Sequence, residues 1–451
     1  MIIKMKIRIT IYLLFAFAMG GFSQDAFTLQ EAISYGLEHR NEIDLYNLDM
    51  RKAELDIKEY YAIGLPKVSA TSEFQHFIEI PTSFVPAEFF GGDPGTFAEV
   101  QFGTKNNLTA GLGFNTLLFD GSFFTGIQAQ KLYRKLTKKS INQTKYQITQ
   151  GITEAYIGVL ASSDNIAILS KNIENLENAL TETRALYESG FIEKLDVDRL
   201  ELSYDNLVSQ KESLERIQIL TENVLKFQMN YPLEKEIEIS QSLDDIVDKI
   251  IVENVKLEDK TDYSQRPEYA NILIGQELNE MNYKATKKQR YPTLAGYGNY
   301  QFQMQRNNLF DSDEAGFFPL SIVGLQLNVP IYSGGTVAIK EQQIKLDIER
   351  TEIQRETFEK GVDLQINNAY QQYLNAKQNV FSSKRRQSLA EDIYEVTKIK
   401  YKEGVGSSLE VNTAERELYS TQQQYIQSLL DLVNSRIALD VATGEITNNK
   451  Y

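Results

Sequence analysis

Two acidic residues occupy equivalent positions in a segment that the chain contains twice. Asp196 follows Gly190 in the first copy, and Glu410 follows Gly404 in the second copy, 214 residues later. Carboxylates that symmetry gathers into a ring repel one another and attract cations. In the first turn of a helix, the same acids would instead stabilise the helix N-terminus. The two interpretations are compatible, and both stay open at this point.

No group of residues predicts catalysis or metal binding. The chain has no cysteine, and its two histidines, His39 and His76, have no partner at the spacing of a metal site. It contains no recognisable nucleophile–base pair or phosphate-binding loop. A net charge of -15 disfavours binding to nucleic acid. We therefore predict that the protein is not an enzyme and that it uses no cofactor or metal.

The duplication extends over almost the whole chain. Pro66 recurs as Pro292, and Gly121 recurs as Gly334. This pattern predicts two repeats of one structural unit. The predicted organisation is a first repeat at residues 24–231, an equatorial linker region at 232–264, a second repeat at 265–447 and a tail at 448–451.

The first 23 residues predict a signal peptide. Three basic residues precede an apolar run from Ile9 to Met19, and small residues stand at Gly21 and Ser23, where signal peptidase requires them. An apolar run of this length is too short to span a bilayer as an anchor. We therefore expect the chain to be exported and cleaved after residue 23.

Two segments without proline predict helices of unusual length. Residues 124–188 and 336–402 would each form a helix about 100 Å long. Helices of this length need lateral partners, and residues 195–231 and 409–444 supply them as the second arms of two helical hairpins. Apolar and small residues at alternating steps of three and four between Val411 and Leu439 predict coiled-coil packing.

Four other segments alternate between apolar and polar residues and therefore predict strands. They are residues 67–80, 107–119, 293–304 and 319–332. Tilted strands of this length cross a bilayer core of roughly 30 Å. One apolar and one polar face suit a barrel wall between lipid and water, and the alternative is a soluble sheet whose apolar face is covered.

Four strands are too few to close a membrane barrel, because spanning sheets leave no unpaired edge and the smallest barrels have about eight strands. Three copies under closed cyclic symmetry would supply twelve strands. The predicted fold class is an α+β membrane protein. Its trimeric 12-stranded transmembrane β-barrel, with four strands per chain, would continue into a long α-helical coiled-coil barrel.

The strands and helical hairpins follow the same order in both repeats. With this arrangement the chain resembles the TolC-like outer-membrane efflux protein family. The resemblance covers residues 27–447 and rests on the two Tyr-x-x-Gly-x-x-x-x-Leu-acid-Val segments and on four further residues. These are Pro66 and Pro292 before strands and Gly121 and Gly334 after strands, which would mark the transitions between barrel and helices. The resemblance implies a homotrimer in the outer membrane of a Gram-negative bacterium, with a periplasmic helical domain.

In that family, the hairpin tips close the duct and contact a periplasmic adaptor protein. The resemblance implies tip and adaptor-contact roles for Gly190, Phe191, Gly404 and Val405. It implies a periplasmic aperture formed by Asp196, Glu410 and Tyr401. The chain departs from the best-studied members at Gly406 and Thr413, where they have an arginine and a second acid. A salt-bridge lock between these two positions is therefore not expected here.

The functional prediction is a passive exit duct for small molecules such as drugs, toxic compounds or metals. It would be the outer-membrane component of a tripartite system with an adaptor and an inner-membrane pump of RND, ABC or MFS type. One alternative is the outer-membrane duct of type I protein secretion. An alternative of a different class is a coiled-coil protein that spans the envelope without transport and has no open lumen.

Overall fold

The computed structural model describes residues 26–253, 255–256, 260–309 and 316–446. The predicted signal peptide, residues 1–23, and the predicted tail, residues 448–451, lie outside the described residues. The helices are α1 (Leu29–His39), α2 (Asn41–Ala62), α3 (Gly121–Glu188), α4 (Lys194–Met229), α5 (Leu243–Val252), α6 (Pro267–Lys288), α7 (Thr336–Lys402) and α8 (Ser408–Thr443). The strands are β1 (Ala26–Phe27), β2 (Lys67–His76), β3 (Thr82–Pro86), β4 (Phe97–Gln101), β5 (Asn106–Phe119), β6 (Glu238–Ile239), β7 (Thr293–Arg306) and β8 (Phe318–Asn328).

The long helices predicted from the sequence are confirmed. Helices α3 and α7 have 68 and 67 residues, and neither contains proline. Their partners α4 and α8 have 36 residues each. Among the described residues, no helix combines the length and apolarity that a membrane-spanning helix requires.

The chain forms two compact units, and each takes segments from both sequence repeats. The sheet unit comprises residues 49–137 and 273–353, and the helical unit comprises the described parts of residues 1–48, 138–272 and 354–451. Compact units and sequence repeats therefore have different boundaries.

The sheet unit contains one antiparallel sheet in the order β2-β5-β7-β8. Side chains of laterally paired residues share a face, so the register tests the predicted alternation. One row consists of Val68, Phe114, Gly298 and Val323. A row three residues along, on the opposite face, consists of Thr71, Gly111, Gln301 and Leu320. The alternation is confirmed in β2, β5 and β7, whereas the edge strand β8 has apolar residues on both faces, including Ile322 and Leu325.

Two strands end earlier than the sequence indicated. Strand β2 ends at His76 instead of residue 80, because His76 pairs with Asn106, the first residue of β5. Beyond that point β2 has no partner strand, and Ile78 is exposed. Strand β8 ends at Asn328 instead of residue 332, since Pro330 has no N–H to donate to a ladder. In both strands, the alternation of apolar and polar residues in the sequence continues beyond the last residue that pairs with a neighbouring strand.

The segment between β2 and β5 contains structure that the sequence did not indicate. Strands β3 and β4 pair as an antiparallel hairpin, with a 3-10 turn at Ala87–Phe90. The N–H of Phe77 donates to the carbonyl of Lys105 at 2.8 Å and closes the base of the segment. The hairpin therefore has its own hydrogen bonds and pairs with no strand of the larger sheet.

The helical unit has a continuous apolar core built from α1, α3, α4, α5, α7 and α8. Its fully buried members include Leu29, Ile152, Tyr156, Leu225, Leu243 and Leu432. The parallel pair of β1 and β6 ties the start of the described chain to the equatorial region. The coiled-coil register of α8 is confirmed, since Ala414, Leu418, Thr421, Ser428, Leu432, Ser435 and Leu439 are buried.

Two arginines close the ends of the returning helices in the helical unit. The guanidinium of Arg40 donates to the carbonyls of Phe227 and Gln228 at 3.0 and 2.8 Å, at the end of α4. The guanidinium of Arg266 donates to the carbonyls of Val441 and Ala442 at 3.1 and 3.0 Å, at the end of α8. These are the last helical carbonyls, most of which have no partner inside a helix. The repeat in sequence is thus a repeat in structure.

The acids two residues after these arginines hold the guanidinium groups in place. Glu42 lies 2.7 Å from Arg40, and Glu268 lies 3.3 Å from Arg266. Each such pair joins the start of α2 or α6 to the end of the long hairpin that follows it in the chain. The two pairs form equivalent junctions, which we call the arginine clamps.

Candidate functional site

Both hairpin tips have the same backbone structure. Gly190 and Gly404 follow α3 and α7 with φ of 80° and 75°, a left-handed conformation that other residues adopt at a cost. The N–H of Phe191 donates to the carbonyl of Leu186, and the N–H of Val405 donates to the carbonyl of Lys400, each at 3.0 Å. This pattern is the Schellman motif, and it satisfies carbonyls at the ends of the helices.

The tips present apolar side chains to solvent. Phe191 is 79% exposed and Val405 is 77% exposed. In many Schellman motifs the residue at this position packs back onto its own helix. Here both side chains stay exposed, which makes the tips candidates for contact with another molecule.

Gly406 allows the second tip to turn closely against its own helix. A Cβ atom at this position would lie 3.1 Å from the backbone nitrogen of Tyr401 and 3.3 Å from the carbonyl carbon of Lys400. The arginine that resembling proteins carry here would need the tip to shift. The absence of that arginine is therefore matched by a tighter local turn.

Asp196 connects the two hairpins of one chain. It lies in the first turn of α4, and its carboxylate accepts a short hydrogen bond from the hydroxyl of Ser408, the first residue of α8. The guanidinium of Arg199 lies 3.8 Å from the same carboxylate and donates to the Ser408 hydroxyl at 3.2 Å. We call Asp196, Arg199 and Ser408 the tip triad.

Tyr401 lies beside the tip triad. Its hydroxyl is buried and has no hydrogen-bond partner among the described residues. Burial raises the pKa of the Tyr401 hydroxyl, and the negative charge of Asp196 raises it further. The hydroxyl is therefore neutral at physiological pH. The structure thus brings together Tyr401 and Asp196, two of the three residues that the family resemblance implied for the aperture.

Glu410 lies apart from this group. Its backbone N–H donates to the hydroxyl of Ser407 at 3.3 Å, so Ser407 caps α8. The carboxylate of Glu410 is exposed and makes no hydrogen bond or ion pair with any described residue. Neither the Asp196 nor the Glu410 carboxylate caps a helix. The carboxylate of Asp196 accepts from Ser408, and the N-cap residue of α4 is Glu193, whose side chain makes no capping bond. The N-cap residue of α8 is Ser407. The capping interpretation holds only as a favourable charge in the first helical turn.

Two residues of the tip triad were missed in the sequence. Arg199 stands three positions after Asp196, a spacing that places both on one face of a helix and could have indicated the pair. Ser408 gave no comparable signal, because its contact depends on how two hairpins pack side by side. Sequence periodicity predicts which face of a helix is buried and does not specify its neighbour.

The predicted transition residues lie at the boundaries between strands and helices. Pro66 and Pro292 directly precede β2 and β7, Gly121 begins α3, and Gly334 precedes α7 with φ of 63°. A Cβ atom on Gly121 would lie 3.1 Å from the ring of Tyr291. Gly121 thus allows the start of α3 to approach the residue before Pro292.

Among the described residues, no group of three or more histidine, cysteine, aspartate or glutamate side chains could hold a metal ion. The site consists of hydrogen bonds between helices and contains no nucleophile activated by a base. Its chemistry is suited to holding two hairpins together and releasing them.

Residues 264–445 match the family model described as outer membrane efflux protein. A comparison with curated protein sequences gives no match. The fold, however, resembles solved structures over most of the chain.

CusC, described as forming a transmembrane channel, matches with a TM-score of 0.72 at 14% identity, over 92% of this chain and 91% of that chain. VceC, an outer membrane protein of Vibrio cholerae, matches with a TM-score of 0.68 at 14% identity, over 92% of this chain and 96% of that chain. MtrE, an outer membrane channel of Neisseria gonorrhoeae solved in its open state, matches with a TM-score of 0.70 at 15% identity, over 92% of this chain and 88% of that chain. The resemblance to outer-membrane efflux proteins predicted from the sequence is confirmed.

Proposed function

Because residues 264–445 match the outer membrane efflux protein family model and 92% of the chain resembles outer membrane channels in fold, we propose that this protein is the outer-membrane exit duct of a tripartite efflux system. Small molecules would enter from an inner-membrane pump or the periplasm and leave to the exterior. The relatives by fold are channels and not enzymes, in agreement with the absence of a catalytic arrangement among the described residues.

The observation that carries this proposal is a sheet with an apolar face and two free edges. Within the part of the chain that the structure describes, strands β2 and β8 each pair on one side only. Unpaired backbone groups cost several kcal/mol each in lipid, so the edges must be satisfied by another copy. Because four antiparallel strands alternate in direction, β8 of one copy can pair antiparallel with β2 of the next. Three copies would form a closed barrel of twelve strands.

The tip triad supports a role as a closing contact in the same duct. Asp196 and Arg199 belong to the first hairpin, and Ser408 belongs to the second, so their hydrogen bonds oppose separation of the hairpins. Tyr401 packs beside them and excludes water from one side. In the proposed trimer, threefold symmetry would place three such contacts around the periplasmic entrance, with Glu410 as an exposed acid nearby.

The exposed tips support docking of a periplasmic adaptor. Phe191 and Val405 are exposed apolar residues at the ends of the hairpins. Apolar side chains that protrude from a rigid turn are effective anchors for a partner protein. We propose that these two residues and the glycines before them contact the adaptor of the system.

Planar-bilayer recordings of the purified protein test the proposed function. We expect stepwise conductance from the wild type and larger steps from Asp196→Asn, in which the tip triad loses its negative charge. A protein that inserts into membranes but conducts in neither form would contradict the duct. Efflux of small dyes from cells that express the protein with a matching pump would then identify the substrate class.

A further inference from the structure

A carboxylic acid lies buried between α7 and α8, away from the tip triad. Glu415 is 2% exposed. The hydroxyl of Tyr419 donates to one carboxyl oxygen at 2.8 Å, and the other oxygen, Oε2, is buried without a hydrogen-bond partner among the described residues. Carboxyl groups are rarely buried in this way without an ion pair. Neither the duct nor the tip triad requires an acid at this position.

The surroundings of Glu415 are mostly apolar. Tyr419 packs against a cluster that consists of Ala390, Tyr394, Ala414 and Leu418. On its other side Tyr419 meets a second cluster from α3 and α4, which includes Leu169, Leu176, Leu207 and the titratable residue Tyr204. These side chains provide no charge to balance a carboxylate.

The charged groups near Glu415 are few and do not pair with it. From α7, Lys398 attracts the carboxylate but lies over the ring of Tyr394, 5.6 Å from the ring centroid. Glu395, also on α7, acts on Tyr394, and Arg416 on α8 attracts Glu415. No ion pair to Glu415 forms among the described residues.

Burial is therefore the largest influence on the pKa of the Glu415 carboxyl group. Desolvation raises the pKa of Glu415 above its ordinary value of 4.5, and the Tyr419 hydrogen bond, Lys398 and Arg416 oppose this increase only in part. An ionised carboxylate with one unsatisfied oxygen is disfavoured in such a site, because neither solvent nor a counter-charge compensates its lost hydration. The packed arrangement favours the protonated acid.

We propose that proton binding at Glu415 controls the packing of α7 against α8 behind the hairpin tips. Protonated Glu415 fits the apolar interface, whereas the ionised form admits water and favours separation of the two helices. Glu415 lies about 10 Å along α8 from Ser408, so this separation would also weaken the tip triad. The inference rests on the proposed function, because opening of the hairpins matters only in a duct.

The direction of the effect follows from linkage between protonation and conformation. The packed state binds the Glu415 proton more tightly than a hydrated, open state, in which the pKa would be near 4.5. Packing is therefore most favoured at acidic pH and is lost as the pH rises through the raised pKa. The duct would close in acid and open toward neutral pH, by at most about tenfold per pH unit for each coupled proton.

Spin-label distances test this inference without requiring conductance. The chain has no cysteine, so Asp392→Cys on α7 and Thr413→Cys on α8, both exposed positions, provide a unique label pair. We expect the distance between the labels to increase as the pH is raised from about 5 to 8. Glu415→Gln, which cannot ionise, should keep the short distance at every pH. Glu417→Gln removes an exposed acid on the same helix and should follow the wild type.

A second variant keeps the test decisive if Glu415→Gln fails to assemble. Tyr419→Phe removes the one hydrogen bond that the described residues make to the carboxyl group, so the transition should move to higher pH. A wild-type distance that does not change with pH would overturn the proposal, as would a pH response that persists in Glu415→Gln. Conductance measured on the same samples separates the two proposals. A pH-dependent distance in a protein that never conducts would support the coupling and contradict the duct.

Discussion

Asp196 makes two contacts of unequal strength. The ion pair with Arg199 is long, at 3.8 Å, and both side chains are partly exposed, so screening by water limits it to less than about 1 kcal/mol. The hydrogen bond from the Ser408 hydroxyl has a charged acceptor, and such bonds contribute about 1.5–3 kcal/mol. The contact with Ser408 therefore dominates the connection between the hairpins.

Replacement of Ser408 tests this ranking. We expect Ser408→Ala to favour the open duct by roughly tenfold per chain, since it removes a hydrogen bond of about 1.5 kcal/mol. Arg199→Ala should have a smaller effect. Open probability in single-channel recordings measures both.

Glu410→Gln is the matched control for the triad, because Glu410 is an exposed acid in the same turn of the second hairpin. Its carboxylate makes no hydrogen bond or ion pair with a described residue, and its backbone N–H bond to Ser407 is kept in the variant. The variant should reduce cation preference, if symmetry gathers Glu410 at the entrance, and leave the open probability unchanged. An open probability that responds to Glu410→Gln as strongly as to Ser408→Ala would contradict the assignment of the contact.

The arginine clamps operate at the scale of whole helices. Arg266 is 7% exposed and satisfies two terminal carbonyls of α8, which ends at Gly444 with φ of 86°. A Cβ atom on Gly444 would lie 2.7 Å from the carbonyl oxygen of Gln265, so the end of α8 and the residue before Arg266 are in close contact. Each clamp thus fixes the end of α4 or α8 against the start of α2 or α6 within the same repeat.

Removal of a clamp should lower stability. We expect Arg266→Ala to cost about 1–3 kcal/mol, because the buried carbonyls of Val441 and Ala442 lose this donor. Arg40→Ala should cost less, since its side chain is more exposed. Thermal unfolding monitored by circular dichroism measures the difference. Arg350→Ala, which removes a largely exposed arginine from α7, is the control and should have little effect. An Arg266→Ala protein as stable as this control would show that the clamp is dispensable.

The β3–β4 hairpin should be dispensable for assembly. It pairs only with itself, and its phenylalanines Phe84 and Phe97 are exposed. Deletion of residues 82–101 with a short glycine linker removes no hydrogen bond of the four-stranded sheet, so the oligomer should form normally. Size-exclusion chromatography in detergent measures this. Dissociated chains after the deletion would show that the hairpin contributes to the interface between copies.

The elements were predictable because their signals are local. Freedom from proline over residues 336–402 and the alternation within β5 and β7 depend only on neighbouring residues, and the structure confirms them. The end of β2 depends on where its partner strand begins, so the alternation at Ile78 was misleading. The end of β8, by contrast, has a local signal in Pro330. The contact of Asp196 with Ser408 and the buried position of Glu415 depend on packing between helices, which no local pattern specifies.

At the scale of the whole molecule, the free edges of β2 and β8 require other copies of the chain. All ten residues of β2 and nearly all of β8 are exposed within one chain. Exposed edges of this length would template unlimited pairing in a soluble protein. The proposed closed ring of three copies in the membrane would satisfy both edges and limit the assembly to a defined number.

Chemical cross-linking between these edges tests the central claim most directly. Thr71→Cys on β2 and Gln326→Cys on β8 are exposed on the polar face of the sheet, and the chain has no other cysteine. A flexible bis-maleimide reagent applied to the double variant in outer membranes should produce covalent dimers and trimers and no larger species. Each single variant should lack the trimer, because a chain with one cysteine can join only one other. Monomers alone, or a ladder that continues beyond three chains, would contradict a duct built from three copies.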